Sequence, residues 1–532
     1  MMRRALVLFM VLVGCGSTPP RTSAPSARPR LVVVAVYDQL GSDVLAAHLP
    51  HLDPDGAIRS AIARGRYVQR ARYAYSATLT APGHAAIHSG ASPRDSGIGS
   101  NRVFVLGRGR VSAMDDGTHR VWGRDDAGAS PFRLQAETVA DVIQSERPAS
   151  LVVSLALKDR SAILPGGQHP DVCVWFDAEA GGFTSSTWYA PAMPEWLASW
   201  RAREPFEAAM ETPWTPRDPA ALEARFGPDV QPGEGAYGFD ASFPHDARGL
   251  EDADAFRSLP SSTDHMLALG REIAARFELG EDDEPDLLAL SISTTDYVGH
   301  AFGPSSWEYA DVLLRVDRAL GDFVRELEAR VGPIALVITS DHGAAELVER
   351  THASGHTDAV RFTSESSLPR LEAHLRETLG APPEGATAWA EGWVQPYVYL
   401  GMREPRVIEA ALAWLRAQPG IGAAVDARAV AAAPVPEGES LDALIARAIP
   451  RDPPGDIYVM PAERSVAMED MPEGVGTSHG SAWLYDRDVP VIVVGPQFAR
   501  EEITDVMPQC RVAGTIAELA GVRAPRFACG AL

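Results

Sequence analysis

The sequence predicts an α/β protein: a mostly parallel central sheet with helices on both faces, plus a small α+β insert. Two observations carry the prediction. Four apolar, largely β-branched runs read as strands buried on both faces, and helical patterns lie between them. The first run, LVVVAVYD at residues 31 to 38, ends in Asp38. SLVVSLALKDR, 150 to 160, delivers Lys158 and Arg160, and PDLLALSISTTD, 285 to 296, ends in Asp296. PIALVITSDH, 333 to 342, ends in Asp341 and His342. Between the last two lies SWEYADVLLRVDRALGDFVRELEARV, apolar at three- and four-residue steps as an amphipathic helix requires. Alternating buried strands and helices make a parallel sheet, and such sheets bind ligands at the carboxyl ends of their strands.

The composition bounds the function. With 532 residues, 45% hydrophobic and 22% charged, the chain can bury one large core or two to three smaller ones. A net charge of -23 argues against a nucleic-acid scaffold, because phosphate backbones are bound through basic patches. An anionic substrate would need local positive charge, such as metal ions.

The N-terminus, MMRRALVLFMVLVGCGSTPP, has two arginines and an apolar run too short to span a bilayer, the pattern of an export signal. Its Leu-Val-Gly-Cys ending resembles a bacterial lipobox, which makes residues 1–14 a lipoprotein signal and Cys15 the lipidated first residue; an ordinary signal peptide is the alternative. Residues 15–30, rich in Pro and Ser, read as a flexible tether from membrane to domain. Localisation in the cell envelope follows. Gly16 and Ser17 lack the aspartate associated with inner-membrane retention, which favours the outer membrane where one exists. Of the three remaining cysteines, Cys510 and Cys529 are the nearer pair for a disulfide, with Cys173 left over.

Thr80 heads a helical stretch, SATLTAPGHAAIHSG, residues 76 to 90. A threonine there can cap the helix, with Pro82 in the first turn where no donor is lost. A hydroxyl at a helix N-terminus also sits where anions bind, because unpaired amides and the helix dipole point there. Candidate ligands gather around it. His300 follows Asp296 by four residues, His342 follows Asp341 directly, and His479 lies in VGTSHGSAW. Asp and imidazole suit zinc, and manganese and iron accept the same mixture. With Asp38 and Thr80 they make seven ligands, enough for two ions with open positions. Two ions about 4 Å apart clamp the attacking and leaving oxygens of an in-line phosphoryl transfer, one activating Thr80 as nucleophile.

Taken together, DQL at Asp38, TAPGHAAIHSG at Thr80, GIGSN ending at Asn101, LKDRSAI, STTDYVGH, TSDHG and GTSHGSA resemble the alkaline phosphatase superfamily. The likeness is to its threonine-nucleophile branch, which holds phosphate-irrepressible bacterial alkaline phosphatases and nucleotide pyrophosphatase/phosphodiesterases. It implies one zinc ion on Asp296, His300 and His479, and another on Asp38, Asp341, His342 and the Thr80 oxygen. It also implies that Asn101 donates its side-chain amide to a phosphoryl oxygen. Lys158 and Arg160 then select the substrate class. A phosphate monoester carries one more charged oxygen than a diester, and an ammonium beside a guanidinium favours it. Diesterases of the superfamily lack this Lys-x-Arg pair. The sequence therefore predicts an alkaline phosphatase acting on small-molecule phosphate monoesters through a phosphothreonine. A phosphodiesterase or nucleotide pyrophosphatase is the alternative, and a non-catalytic surface lipoprotein a more distant one. His84 and His88 follow Thr80 too closely to be assumed ligands and read as packing or surface residues.

Residues 101–150 and 176–260 are less periodic and read as insertions around the site. Residues 367–440 read as the small α+β insert, built from helix LPRLEAHLRETLG, strand WVQPYVYLG and helix PRVIEAALAWLRAQ. The catalytic domain is then 31–366 together with 441–532, its last strand VPVIVVG and its last helix AGTIAELAGV.

Overall fold

The computed structural model describes residues 28 to 532 except 236, 251, 252 and 470 to 473. The expected lipoprotein signal, 1–14, and Cys15 lie outside the described residues, as does most of the expected tether, 15–30.

The four apolar runs form the middle of one large mixed sheet. Its order is Glu501–Ile503, Arg66–Arg72, Asp488–Val494, Ala335–Thr339, Leu31–Tyr37, Asp286–Ile292, Val152–Ala156, Val172–Asp177 and Gly182–Thr184. Leu31–Tyr37 runs parallel to both Asp286–Ile292 and Ala335–Thr339, and Val152–Ala156 runs parallel to Asp286–Ile292 and Val172–Asp177. The edges turn antiparallel: Asp488–Val494 runs against Ala335–Thr339 and Arg66–Arg72, and Gly182–Thr184 against Val172–Asp177.

Continuous apolar runs are explained by what covers the sheet. Leu31, Val33, Ala35 and Tyr37 face one hydrophobic core and Val32, Val34 and Val36 face the other, so every residue of that strand is buried. Each large aliphatic side chain so buried contributes roughly 1.5–3 kcal/mol. The predicted long helix forms as Trp307–Val331 and seals one face, burying Val312, Val316 and Leu320. The last helix, Arg511–Ala520, packs Val512 and Ile516 into the opposite core. A disulfide joins Cys510 to Cys529, clipping the C-terminal segment to the start of that helix, while Cys173 is buried and unpaired.

A second sheet of four strands, Ala390–Val394, Tyr397–Leu400, Ile457–Pro461 and Ile421–Asp426, carries helices Ser364–Leu379 and Pro405–Arg416. These enclose their own core of Leu371, Leu375, Trp393, Val407 and Leu415. Two details differ from the sequence reading. WVQPYVYLG is not one strand but an antiparallel pair turning at Gln395 and Pro396, because proline has no amide to give a continuous ladder. The small sheet takes a strand from residues 457 to 461, beyond the expected limit at 440, since IYVMP finds its hydrogen-bond partners there. Among the described residues no helix is long and apolar enough to cross a membrane.

Candidate metal centre and active site

Because the central strands are parallel, their carboxyl ends share one edge, and that edge collects the chemistry. Asp38 follows Leu31–Tyr37, and Asp296 lies in the first turn of helix Thr294–Phe302 after Asp286–Ile292. Asp341 and His342 follow Ala335–Thr339, and Lys158 precedes helix Asp159–Gly166. His479 arrives on the loop before Asp488–Val494.

Two clusters result. Asp296, His300 and His479 each offer a ligand atom, these atoms lying within 4.8 Å of one another, and Asp38, Asp341 and His342 do the same. In the first, Nε2 of His300 is 3.3 Å and Nε2 of His479 3.6 Å from Asp296 Oδ1. In the second, Nε2 of His342 is 3.5 Å from both Asp38 Oδ1 and Asp341 Oδ2. The rings of His342 and His479 stack with centroids 3.6 Å apart, so the clusters adjoin.

The donor set fits metal ions on three counts. All three histidines commit Nδ1 to a backbone carbonyl, His300 to Thr477 at 2.8 Å, His342 to Gly343 at 3.0 Å and His479 to Thr78 at 2.7 Å. That leaves each Nε2 facing its cluster, the arrangement found in metal-ligating histidines. Asp38 Oδ1, Asp341 Oδ2 and His342 Nε2 are buried without a hydrogen-bond partner among the described residues, a costly state unless a cation satisfies them. Finally, three buried carboxylates converge where the Lys158 ammonium meets only two of them, Asp38 at 2.6 Å and Asp296 at 2.5 Å. Burial, reinforced by the Asp296 and Asp341 charges, pushes the Asp38 carboxyl well above its usual range. Burial likewise pushes Asp341 up to about 7. Burial holds His342 and His479 below the ordinary imidazole value, in the neutral form that ligates.

Thr80 opens the buried helix Thr80–Ser89. It does not cap it: the capping position is Leu79, which offers no side-chain acceptor, so the first-turn amides look elsewhere. The Ala81 amide donates to Asn101 Oδ1 at 2.8 Å, which leaves the Asn101 amide nitrogen as its remaining polar group. Gly83 lets this helix approach closely, since a Cβ there would lie 2.4 Å from the Asp341 carbonyl oxygen. Thr80, Asn101, Lys158, Arg160, Asp296, His300 and His479 all line one pocket of about 730 Å3. Both insertions contribute to its walls, through Arg108, Arg124, Asp177 and Tyr237.

Lys158 lines the pocket with Arg160 and also touches the clusters. Its ammonium reaches between the two clusters, drawn by the desolvated carboxylates of Asp38 and Asp296, which hold it charged against the cost of burial. Arg160 lies at the pocket with Nη1 3.5 Å from Asp159.

One residue escaped the sequence reading. Gln39 donates Nε2 to Asp296 at 3.0 Å and its backbone amide to Asp341 at 3.2 Å, linking the clusters from a backbone held at φ 70°. A non-glycine residue in that region is strained and is held there by its surroundings. His84, read as a packing or surface residue, is fully buried: Nδ1 donates to the Thr80 carbonyl at 2.9 Å and stands 3.2 Å from Asp341 Oδ2. His88 is buried too. The helical four-residue spacing from Thr80 to His84 was the available signal, since it puts both on one face.

Residues 32–391 match the family described as type I phosphodiesterase / nucleotide pyrophosphatase. The chain is 33% identical over 331 residues to alkaline phosphatase PhoV of Synechococcus elongatus, a match spanning 60% of each protein. It is 30% identical over 387 residues to alkaline phosphatase PafA of Elizabethkingia meningoseptica, 70% of each. The crystal structure of wild-type alkaline phosphatase PafA superposes with a TM-score of 0.84 at 25% identity, covering 96% of this chain and 98% of that one. The chain therefore belongs to the type I phosphodiesterase / nucleotide pyrophosphatase family, within the alkaline phosphatase superfamily.

Proposed function

We propose that the protein is a zinc-dependent alkaline phosphatase that hydrolyses small-molecule phosphate monoesters through a phosphothreonine on Thr80. The observation that carries the reading is the pair of adjoining Asp/His clusters at the pocket that Thr80 lines. The relatives named alkaline phosphatase support it. Asp296, His300 and His479 would hold one zinc ion, and Asp38, Asp341 and His342 with the Thr80 oxygen the other. When bound, such ions supply positive charge to the attacking and leaving oxygens and lower the pKa of a hydroxyl.

The chain's own groups do the rest. Thr80 Oγ forms a bond to phosphorus as the bond from phosphorus to the leaving oxygen breaks; the threonine proton goes to solvent and the leaving alkoxide takes one up. Water then attacks phosphorus, the Thr80 oxygen departs and is reprotonated, and inorganic phosphate leaves. Asn101, oriented by its bond to the Ala81 amide, donates its amide to a phosphoryl oxygen. Lys158 and Arg160 supply the charge that favours a dianion, strengthened because the site is buried. Intact ligand positions in both clusters count against a non-catalytic surface lipoprotein.

The test compares kcat/KM on p-nitrophenyl phosphate and bis-p-nitrophenyl phosphate. The monoester is expected to lead by at least about a hundredfold, and Lys158→Ala with Arg160→Ala to erase that lead. A lead for the diester in the parent enzyme would replace this reading with the phosphodiesterase one.

The same proposal places the enzyme in the cell envelope, held by a lipid on Cys15 and the 15–30 tether, in the outer membrane where one exists. Cys15→Ser is expected to move the enzyme from the membrane pellet to the soluble fraction. An unchanged pellet fraction would contradict the anchor.

A further inference from the structure

The ligands of the proposed zinc sites sit on segments hundreds of residues apart, so something must hold those segments in register. The structure shows where three of them are joined. Asp486, fully buried in the short helical turn Leu484–Arg487, accepts from the Ser481 amide at 2.9 Å and the Ser481 hydroxyl at 2.5 Å. The Thr78 hydroxyl lies 3.5 Å from the same oxygen, donates to the Ser481 carbonyl at 2.9 Å, and accepts from the Ser481 amide at 2.9 Å. Thr78 stands two residues before Thr80, and Ser481 two residues after His479. The Thr78 carbonyl is also the acceptor that orients the His479 ring. On its backbone side, the Asp486 carbonyl accepts from the amide of Gly343, the neighbour of His342, at 2.9 Å.

We propose that Asp486 is a positioning residue that fixes Thr80 and His479 relative to each other by clamping Thr78 to Ser481. It touches neither substrate nor the ligand atoms. Its effect passes through one closed hydrogen-bond ring, in which Thr78 and Ser481 bond to each other and both face one carboxylate. Groups that orient metal ligands typically cost about 10–100-fold in metal affinity or activity when removed. The geometry explains why here: without the carboxylate, Ser481 loses the acceptor of its hydroxyl and the turn Leu484–Arg487 no longer braces the Thr78–Ser481 pair, so the His479 ring that Thr78 orients loses part of its support. This inference rests on the zinc reading above.

Zinc affinity of the full chain, measured by competition with a chromogenic chelator, tests it beside separate kcat and KM values on p-nitrophenyl phosphate. Asp486→Ala is expected to weaken zinc binding at least about tenfold and to lower kcat more than it raises KM. Asp486→Asn keeps an acceptor oxygen for the same donors and should recover most of the loss, whereas Asp486→Leu, which fills a similar volume with no acceptor, should not; a mere packing role would not separate the two. Should Asp486→Ala fail to fold, Thr78→Val opens the same ring from the other side and is expected to weaken zinc binding in the same direction. Folded variants that bind zinc within about twofold of the parent would overturn the inference while leaving the zinc reading in place. A parent chain that binds no zinc would overturn both.

Discussion

Thr80→Ala is expected to lower kcat/KM on p-nitrophenyl phosphate by at least about ten-thousandfold, the scale on which loss of an attacking group acts in covalent catalysis. The substitution removes a hydroxyl and one methyl from a position that is 1% exposed at a helix N-terminus, and alanine suits the helix, so the fold should persist. The two Asp/His clusters are otherwise intact, so zinc binding should persist as well. The informative result is therefore the combination: metal retained, thermal unfolding unchanged within a few degrees, turnover lost. Retained turnover would mean that water attacks phosphorus directly and that Thr80 only shapes the helix start.

Stripping the enzyme with a chelator is expected to cost at least about a thousandfold in activity, several kcal/mol of transition-state stabilisation, restored by zinc. It should also destabilise the fold. Asp38, Asp296 and Asp341 meet in a buried space with one ammonium to offset them, and three of the cluster's polar atoms have no partner among the described residues. A ligand at a thousandfold excess over its Kd adds about 4 kcal/mol to stability, so the stripped chain should unfold at a lower temperature. Calorimetry before and after zinc return checks this. A stripped enzyme with unchanged Tm and full activity would remove the metal from the account.

Much of this site was legible in the sequence because its logic is local. An apolar, β-branched run followed directly or within a few residues by Asp38, Asp296 or Asp341 says both that a strand is buried and where its carboxyl end lies. Parallel pairing then brings those ends to one edge. The four-residue step from Asp296 to His300 puts both on one helix face, and they meet there. The parts that stayed hidden depend on long-range meetings. Nothing near Asp486 in sequence announces Thr78, some four hundred positions away, and Gln39 bridges the clusters only because its backbone takes an unusual conformation. The contacts of Lys158 depend on a balance of charges in three dimensions: two desolvated carboxylates draw its ammonium inward, which its place after a strand did not reveal. The small sheet was misjudged at Gln395 and Pro396 because WVQPYVYLG is apolar on both sides of them, so the turn had little more than one proline as its signal.

The most direct test of the central claim is the stereochemical course at phosphorus, followed with a phosphate monoester made chiral by oxygen isotopes and an alcohol as acceptor. Transfer first to Thr80 and then to the acceptor inverts the phosphorus twice, so the account predicts net retention. Net inversion would show a single in-line displacement, with no phosphothreonine and no nucleophilic role for Thr80.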